Sequence, residues 1–186
     1  MGLGLGKLFL YSNTPGPSQK VSVEWPPTSG LKRAPTQPTL LLFLHPDCPC
    51  SKASLGELER LMPFLQNHAE TFVVFSTSKG QSKNWEKEKL WKKAQSIPNV
   101  QVIADGGGEE AKHFGAETSG HAMLYDENGL LVFSGGITPE RGHMGDSRGR
   151  TAVLSILEKR PAAVPLTPVF GCFLANPERA LKGESK

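Results

Sequence analysis

The 186-residue chain is poor in the features that would assign it quickly. It has only 3 cysteines, too few for a disulfide-stapled miniprotein, and the odd number leaves a thiol over unless chains are cross-linked. Charge of one sign is not in excess either: 21 Lys and Arg stand against 18 Asp and Glu, and no basic cluster is interleaved with aromatics, so nucleic acid is not an expected partner. Long hydrophobic runs are missing. Leu8 to Tyr11 is the one apolar stretch near the start, too short for a bilayer span or a signal-peptide core, so no transmembrane or targeting segment is expected in these residues. No internal repeat is visible. The length suits one domain with extensions, and a 38% hydrophobic, 21% charged composition suits a globular chain.

What the chain does have is glycine (20) and proline (15), and they are unevenly placed. Residues 1–38 read as an irregular Pro/Gly-rich arm, 39–160 as the folded domain, and 161–186 as a proline-containing tail. Gly2 to Lys7 superficially resembles a phosphate loop but follows no strand and lacks the full spacing, and it is assigned no chemistry. Within the domain, the apolar run Leu40 to Leu44 predicts a strand buried on both faces. Ser51 to Met62 has helical spacing, with Leu55, Leu58, Leu61 and Met62 on one face and Pro63 set to kink or end it. Further strands are expected at 71–75 and 99–104, and further helices at 84–95, with a Glu88/Lys92 surface pair, and at 109–114. A hairpin follows, 121–125 and 130–134, turning at Asn128-Gly129, where positive φ is tolerated. A last helix spans 150–159. This alternation demands an α/β fold: a central mixed β-sheet with right-handed parallel crossovers and an antiparallel edge, flanked by helices.

The chemistry concentrates at His45-Pro46-Asp47-Cys48-Pro49-Cys50, where the first strand turns into a helix. Sulfurs there lie at the carboxyl end of the sheet, beside unsatisfied amides and the positive end of a helix dipole, which favours thiolate over thiol. Pro49 biases Cys48 away from helical geometry. A disulfide across one intervening residue closes a small strained ring, which suits exchange more than stapling. The plainer alternative is two ordinary half-buried cysteines.

With the cysteine turn, the following helix, and Gly115 to His121 leading into the hairpin, the chain resembles the thioredoxin-like superfamily, nearest its TlpA-like and peroxiredoxin-like branches, over roughly residues 39–160. The resemblance implies a thiol-disulfide oxidoreductase in which Cys48 is the nucleophile and Cys50 the resolving thiol, needing no cofactor and acting on a protein or small-molecule disulfide. It also implies an extracytoplasmic setting, since such proteins commonly sit behind an amino-terminal anchor. Three departures stand out. One residue separates the cysteines instead of two, and Ser51 falls where the second cysteine would stand. Ser119-Gly120-His121 replaces the family's cis-proline. His45 and Asp47 stand where peroxiredoxins place Thr or Ser relative to Cys48 and Cys50.

Losing the proline opens space beside the sulfurs, which supports an alternative reading: a copper- or zinc-binding, metallochaperone-like module resembling the Sco-type proteins, using Cys48, Cys50 and His121, with His45 a further candidate. The plainer role for His121 is a strand-end residue bonded to a loop carbonyl. Cys172, in an apolar island of the tail, is either a packed thiol or a third sulfur folded back over the site. In the stretch 135–150, Arg141, Arg148 and Arg150 could grip an anion, or Asp146 or Ser147 could simply cap the last helix. Gly106 to Gly108 reads as a connector and Trp25 as an anchor for the arm.

Overall fold

A computed structural model describes residues 10–17, 20–78, 89–160 and 165–174. Its sheet is built from β1 (Thr39–Leu44), β2 (Glu70–Thr77), β3 (Val100–Gly106), β4 (His121–Tyr125) and β5 (Leu131–Gly136), in the spatial order β3-β2-β1-β4-β5. β1, β2 and β3 run parallel, while β4 and β5 are antiparallel additions, the mixed sheet expected from the element order. The helices are α1 (Pro49–Leu65), α2 (Lys89–Gln95), α3 (Glu109–Phe114) and α4 (Arg148–Leu157). Among the described residues no helix is long and apolar enough to cross a membrane.

β1 is the centre of the molecule, and its unbroken run of leucines follows from that position. Alternate side chains point to opposite faces of a strand. Leu40, Leu42 and Leu44 meet Leu55, Leu58 and Leu61 of α1 together with Val153 of α4. Leu41 and Phe43 meet Phe114 of α3, Tyr125 and Leu174 of the tail on the other face. Neither face can be polar. Truncating one of the fully buried leucines of α1 to Ala would cost about 2–5 kcal/mol.

Several expected boundaries move. Pro63 does not end α1; it lies inside the last turn, and the helix continues to Leu65. Its missing N–H removes the helical donor for the carbonyl of Glu59, a residue on the exposed side of the helix. At the hairpin only Gly129 has positive φ (83°). The carboxylate of Asp126 accepts from the N–H groups of both Asn128 (2.9 Å) and Leu130 (2.8 Å), so the turn is held by Asp126 and needs left-handed backbone at one residue alone. The Glu88/Lys92 pair and the first half of the expected 84–95 helix lie outside the described residues, as does Gly2 to Lys7. Leu90 and Trp91 do pack on the core, and Ala94 is fully buried.

The arm and tail are laid against the sheet by backbone hydrogen bonds. Trp25 sits edge-on to Phe114 and Tyr125, with ring centroids 5.0 and 5.3 Å away. The tail follows β5, where Ser134 donates to Pro165 (3.0 Å) and accepts from Thr167 (3.1 Å), and Gly136 donates to Pro168 (3.2 Å). It then crosses to the loop before β4, where Ser119 donates to Cys172 (2.8 Å) and Leu174 to Glu117 (2.8 Å). This course covers the β5 edge and delivers the tail to the carboxyl end of β1.

Candidate functional site

Cys48 is the N-cap of α1, with extended backbone (φ −83°, ψ 122°), and Pro49 begins the helix. Pro at the first helical position loses no hydrogen bond and is pre-set for helical φ. The turn is tightened by Cys48 N–H donating to the carbonyl of His45 (3.2 Å) and Ser51 N–H to that of Cys48 (3.0 Å). Cys50 follows inside the first turn.

The tail brings in the third sulfur. Cys48, Cys50 and Cys172 form a buried cluster, exposed by 3%, 6% and 5%, and all three are free thiols. The backbone N–H of Cys172 donates to Cys48 Sγ at 3.4 Å. The thiols of Cys172 and Cys50 also donate to that sulfur, and together they pull the Cys48 thiol well below the ordinary range against the opposing effect of burial. The cost falls on the donors. Cys50 and Cys172 are pushed up, first by their hydrogen bonds to Cys48 and then by burial. These hydrogen bonds favour thiolate at Cys48, with Cys50 and Cys172 as its protonated donors. Cys48 also lines an open groove of about 970 Å³ with Pro46, Asp47, Lys52, Lys92 and Lys93, whereas Cys50 and Cys172 do not.

The tail can approach this closely because residue 171 is glycine: a Cβ there would collide with the carbonyl oxygen of Ser119. Arg141, from the glycine-rich loop, donates from Nη1 to the carbonyl of Gly171 and from Nε to that of Thr14 (3.2 Å), and lies 4.8 Å over the Tyr11 ring. It thus ties tail, arm and loop together beside the sulfurs, and its charge is a lesser influence drawing the Cys50 and Cys172 thiols back down.

Arg150 is used differently: it pairs with Asp146 and with the buried Glu57 (3.2 Å), which also accepts from Arg60 (3.0 Å) and Gly145 N–H (2.8 Å). Ser147 caps α4 by accepting from Arg150 N–H (3.1 Å), so this part of the loop is structural. The triglycine is not a bare connector, for Gly108 is the N-cap of α3 and Asp105 beside it accepts from Glu110 and Ala111 N–H (3.1 Å each).

Ser51, in the place of a second cysteine, donates to the carbonyl of His45 (2.7 Å) and shares a hydrogen bond with Ser119 Oγ (2.8 Å), which in turn accepts from His45 N–H (2.9 Å). This buried knot locks the start of α1 to the loop before β4. His45 is itself fully buried, with Nδ1 accepting from Asp47 N–H (3.1 Å); burial pulls its pKa down, against the opposing charges of Asp47 and Cys48.

The donor set of the metal reading is not assembled. His121 Nε2 bonds Ser134 Oγ on the neighbouring strand (2.7 Å), a hydroxyl in place of the expected loop carbonyl, and burial alone holds the imidazole neutral, with its pKa lowered to about 4. His121 lines a separate cavity of about 530 Å³ with Pro15, Pro17, Val21, Ser134 and Val169, which none of the three cysteines lines. Among the described residues no three His, Cys, Asp or Glu side chains form a group that would hold an ion.

The fold is shared by several solved structures. An uncharacterized conserved protein of Geobacillus kaustophilus superposes with a TM-score of 0.63 at 20% identity, covering 89% of this chain and 94% of its own. A hypothetical protein of Sinorhizobium meliloti does so at 0.60 and 19%, covering 88% and 94%. A thioredoxin-like protein solved in its oxidized form superposes at 0.51 and 16%, covering 76% and 96%. The chain has the thioredoxin-like fold. No protein-family model matches the sequence, and no curated protein matches it. What a thioredoxin-like scaffold does depends on its site, and the candidate site here is Cys48 with its two thiol neighbours.

Proposed function

We propose that the protein is a thiol-disulfide oxidoreductase with Cys48 as nucleophile and Cys50 as resolving thiol. The observation that carries this reading is the clustering of two thiols and a backbone N–H on Cys48 Sγ at the start of α1, on a residue that lines a groove. The thiolate is the attacking species in exchange, and a thiolate held at neutral pH needs no base to form it.

In the first step the Cys48 thiolate attacks a substrate disulfide, joining to one sulfur and expelling the other as a thiolate. The charge has then left Cys48, and the hydrogen bonds that kept Cys50 protonated no longer have an anionic acceptor. Cys50 gives its proton to the departing thiolate and attacks Cys48 Sγ, forming the Cys48–Cys50 disulfide and releasing the second substrate thiolate. Two electrons pass from the protein to the substrate, and an external dithiol restores the reduced state. Direction is set by the reduction potential against the partner.

The test is catalysis of insulin reduction by dithiothreitol. The wild-type chain accelerates it and Cys48→Ser does not. An unaccelerated reaction with the wild type, or full acceleration with Cys48→Ser, would overturn the reading.

A further inference from the structure

We infer that Cys172 is a second resolving thiol, closing a Cys48–Cys172 disulfide that fastens the tail to the start of α1. This rests on the reading of Cys48 as nucleophile and adds a site residue 124 positions away from it.

Three structural features carry it. The tail places Cys172 against Cys48 through its own backbone, since the N–H of residue 172 donates to the sulfur while its carbonyl accepts from Ser119 (2.8 Å). The segment is fixed on both sides of the cysteine. Phe173 bridges to Thr118, Leu174 donates to Glu117 and is buried in the core, and before it Gly171 is held by Arg141 and Val169 accepts from Gly16 N–H (2.8 Å). A thiol held in contact with the sulfur it must attack forgoes most of the entropic cost of finding it. Ring geometry adds a further reason. Cys50 is two residues from Cys48 at a helix start, where closure forms a small, strained ring. Cys172 comes on a separate extended segment and closes no small ring.

The step balances without another reagent. With Cys48 in a mixed disulfide, Cys172 gives its proton to the thiolate already expelled and attacks Cys48 Sγ. The Cys48–Cys172 bond forms, the mixed disulfide breaks, and the second substrate thiolate leaves.

The experiment uses the full chain as wild type, Cys50→Ser, Cys172→Ser and the double variant. Each is reacted with glutathione disulfide, quenched in acid, and analysed by intact mass and by disulfide-linked peptides. The inference predicts that Cys50→Ser loses its glutathione adduct at least tenfold faster than the double variant and yields a linked Cys48–Cys172 peptide, which oxidised wild type also contains. An adduct on Cys48 that persists equally in Cys50→Ser and the double variant, with no Cys48–Cys172 peptide in either Cys50→Ser or wild type, would overturn it while leaving Cys48 as nucleophile. No adduct on Cys48 in the double variant would remove both this inference and the proposed function. Because the wild type is scored too, a poorly folded variant cannot decide the result alone.

Discussion

The backbone N–H of Cys172 donates to the sulfur of Cys48 at 3.4 Å, so a tail residue supplies part of the field that favours thiolate at the N-cap cysteine. Its partner in that role is the Cys172 thiol itself. If Cys48 is the nucleophile, its reactivity depends on the tail being seated. Gly171→Ala, which sets a methyl group against the Ser119 carbonyl, should lift the tail. The expected outcome is a Cys48 pKa raised toward the ordinary value of about 8.5, read from the pH dependence of its alkylation by iodoacetamide. An unchanged profile would show that the tail does not contribute.

The Ser51, Ser119 and His45 knot predicts a purely structural loss. Ser51→Ala leaves Ser119 Oγ without one buried partner, at a cost of about 1–3 kcal/mol, measured by urea unfolding, with the Cys48 alkylation profile retained. A shifted profile at unchanged stability would instead place Ser51 in the chemistry.

Glu57 gives a larger effect far from the sulfurs. It is fully buried and holds Arg60, Arg150 and the Gly145 N–H. Glu57→Ala leaves the partly buried Arg150 without this partner and should cost about 3–5 kcal/mol in urea unfolding. A loss below about 1 kcal/mol, the range of exposed ion pairs, would contradict this account.

Acid should destabilise the fold through its buried imidazoles. His121 is neutral when folded, with a pKa lowered to about 4, while in the unfolded chain it takes up a proton near the ordinary value of about 6.5. The unfolded state thus binds more protons below pH about 6.5, and stability falls with pH from there to about 4. The loss from His121 amounts to about 3 kcal/mol, and His45 acts in the same direction. His121→Gln should flatten the slope between those pH values, measured as urea midpoint against pH. A slope equal to that of wild type would remove His121 as its source.

The parts of this architecture that the sequence makes legible are the local ones. The leucine run of β1, the proline after Cys48 and the helical spacing from Ser51 each act over a few residues, and strand, turn and helix follow from them. The long-range parts leave fainter marks. The tail is held by backbone hydrogen bonds between extended segments, which any residue can make, so its course beside Ser119 has only Gly171 as a signal. His121 stands where the expected proline would be, but the pairing of β4 with β5 puts Ser134 within reach of its Nε2, a partner not visible in sequence before the register is known. Arg141 could be singled out among three arginines only once the arm, loop and tail met around it.

The central claim is that Cys48 is the thiolate of the cluster, and iodoacetamide at pH 5.5 tests it most directly. An ordinary thiol is on the order of 0.1% ionised there. The account predicts that the reduced wild-type chain is alkylated once, at Cys48 by peptide mass, at a rate that changes less than threefold between pH 5.5 and 8, with Cys50 and Cys172 protected. A rate rising about tenfold per pH unit, or first modification at Cys50 or Cys172, would contradict it.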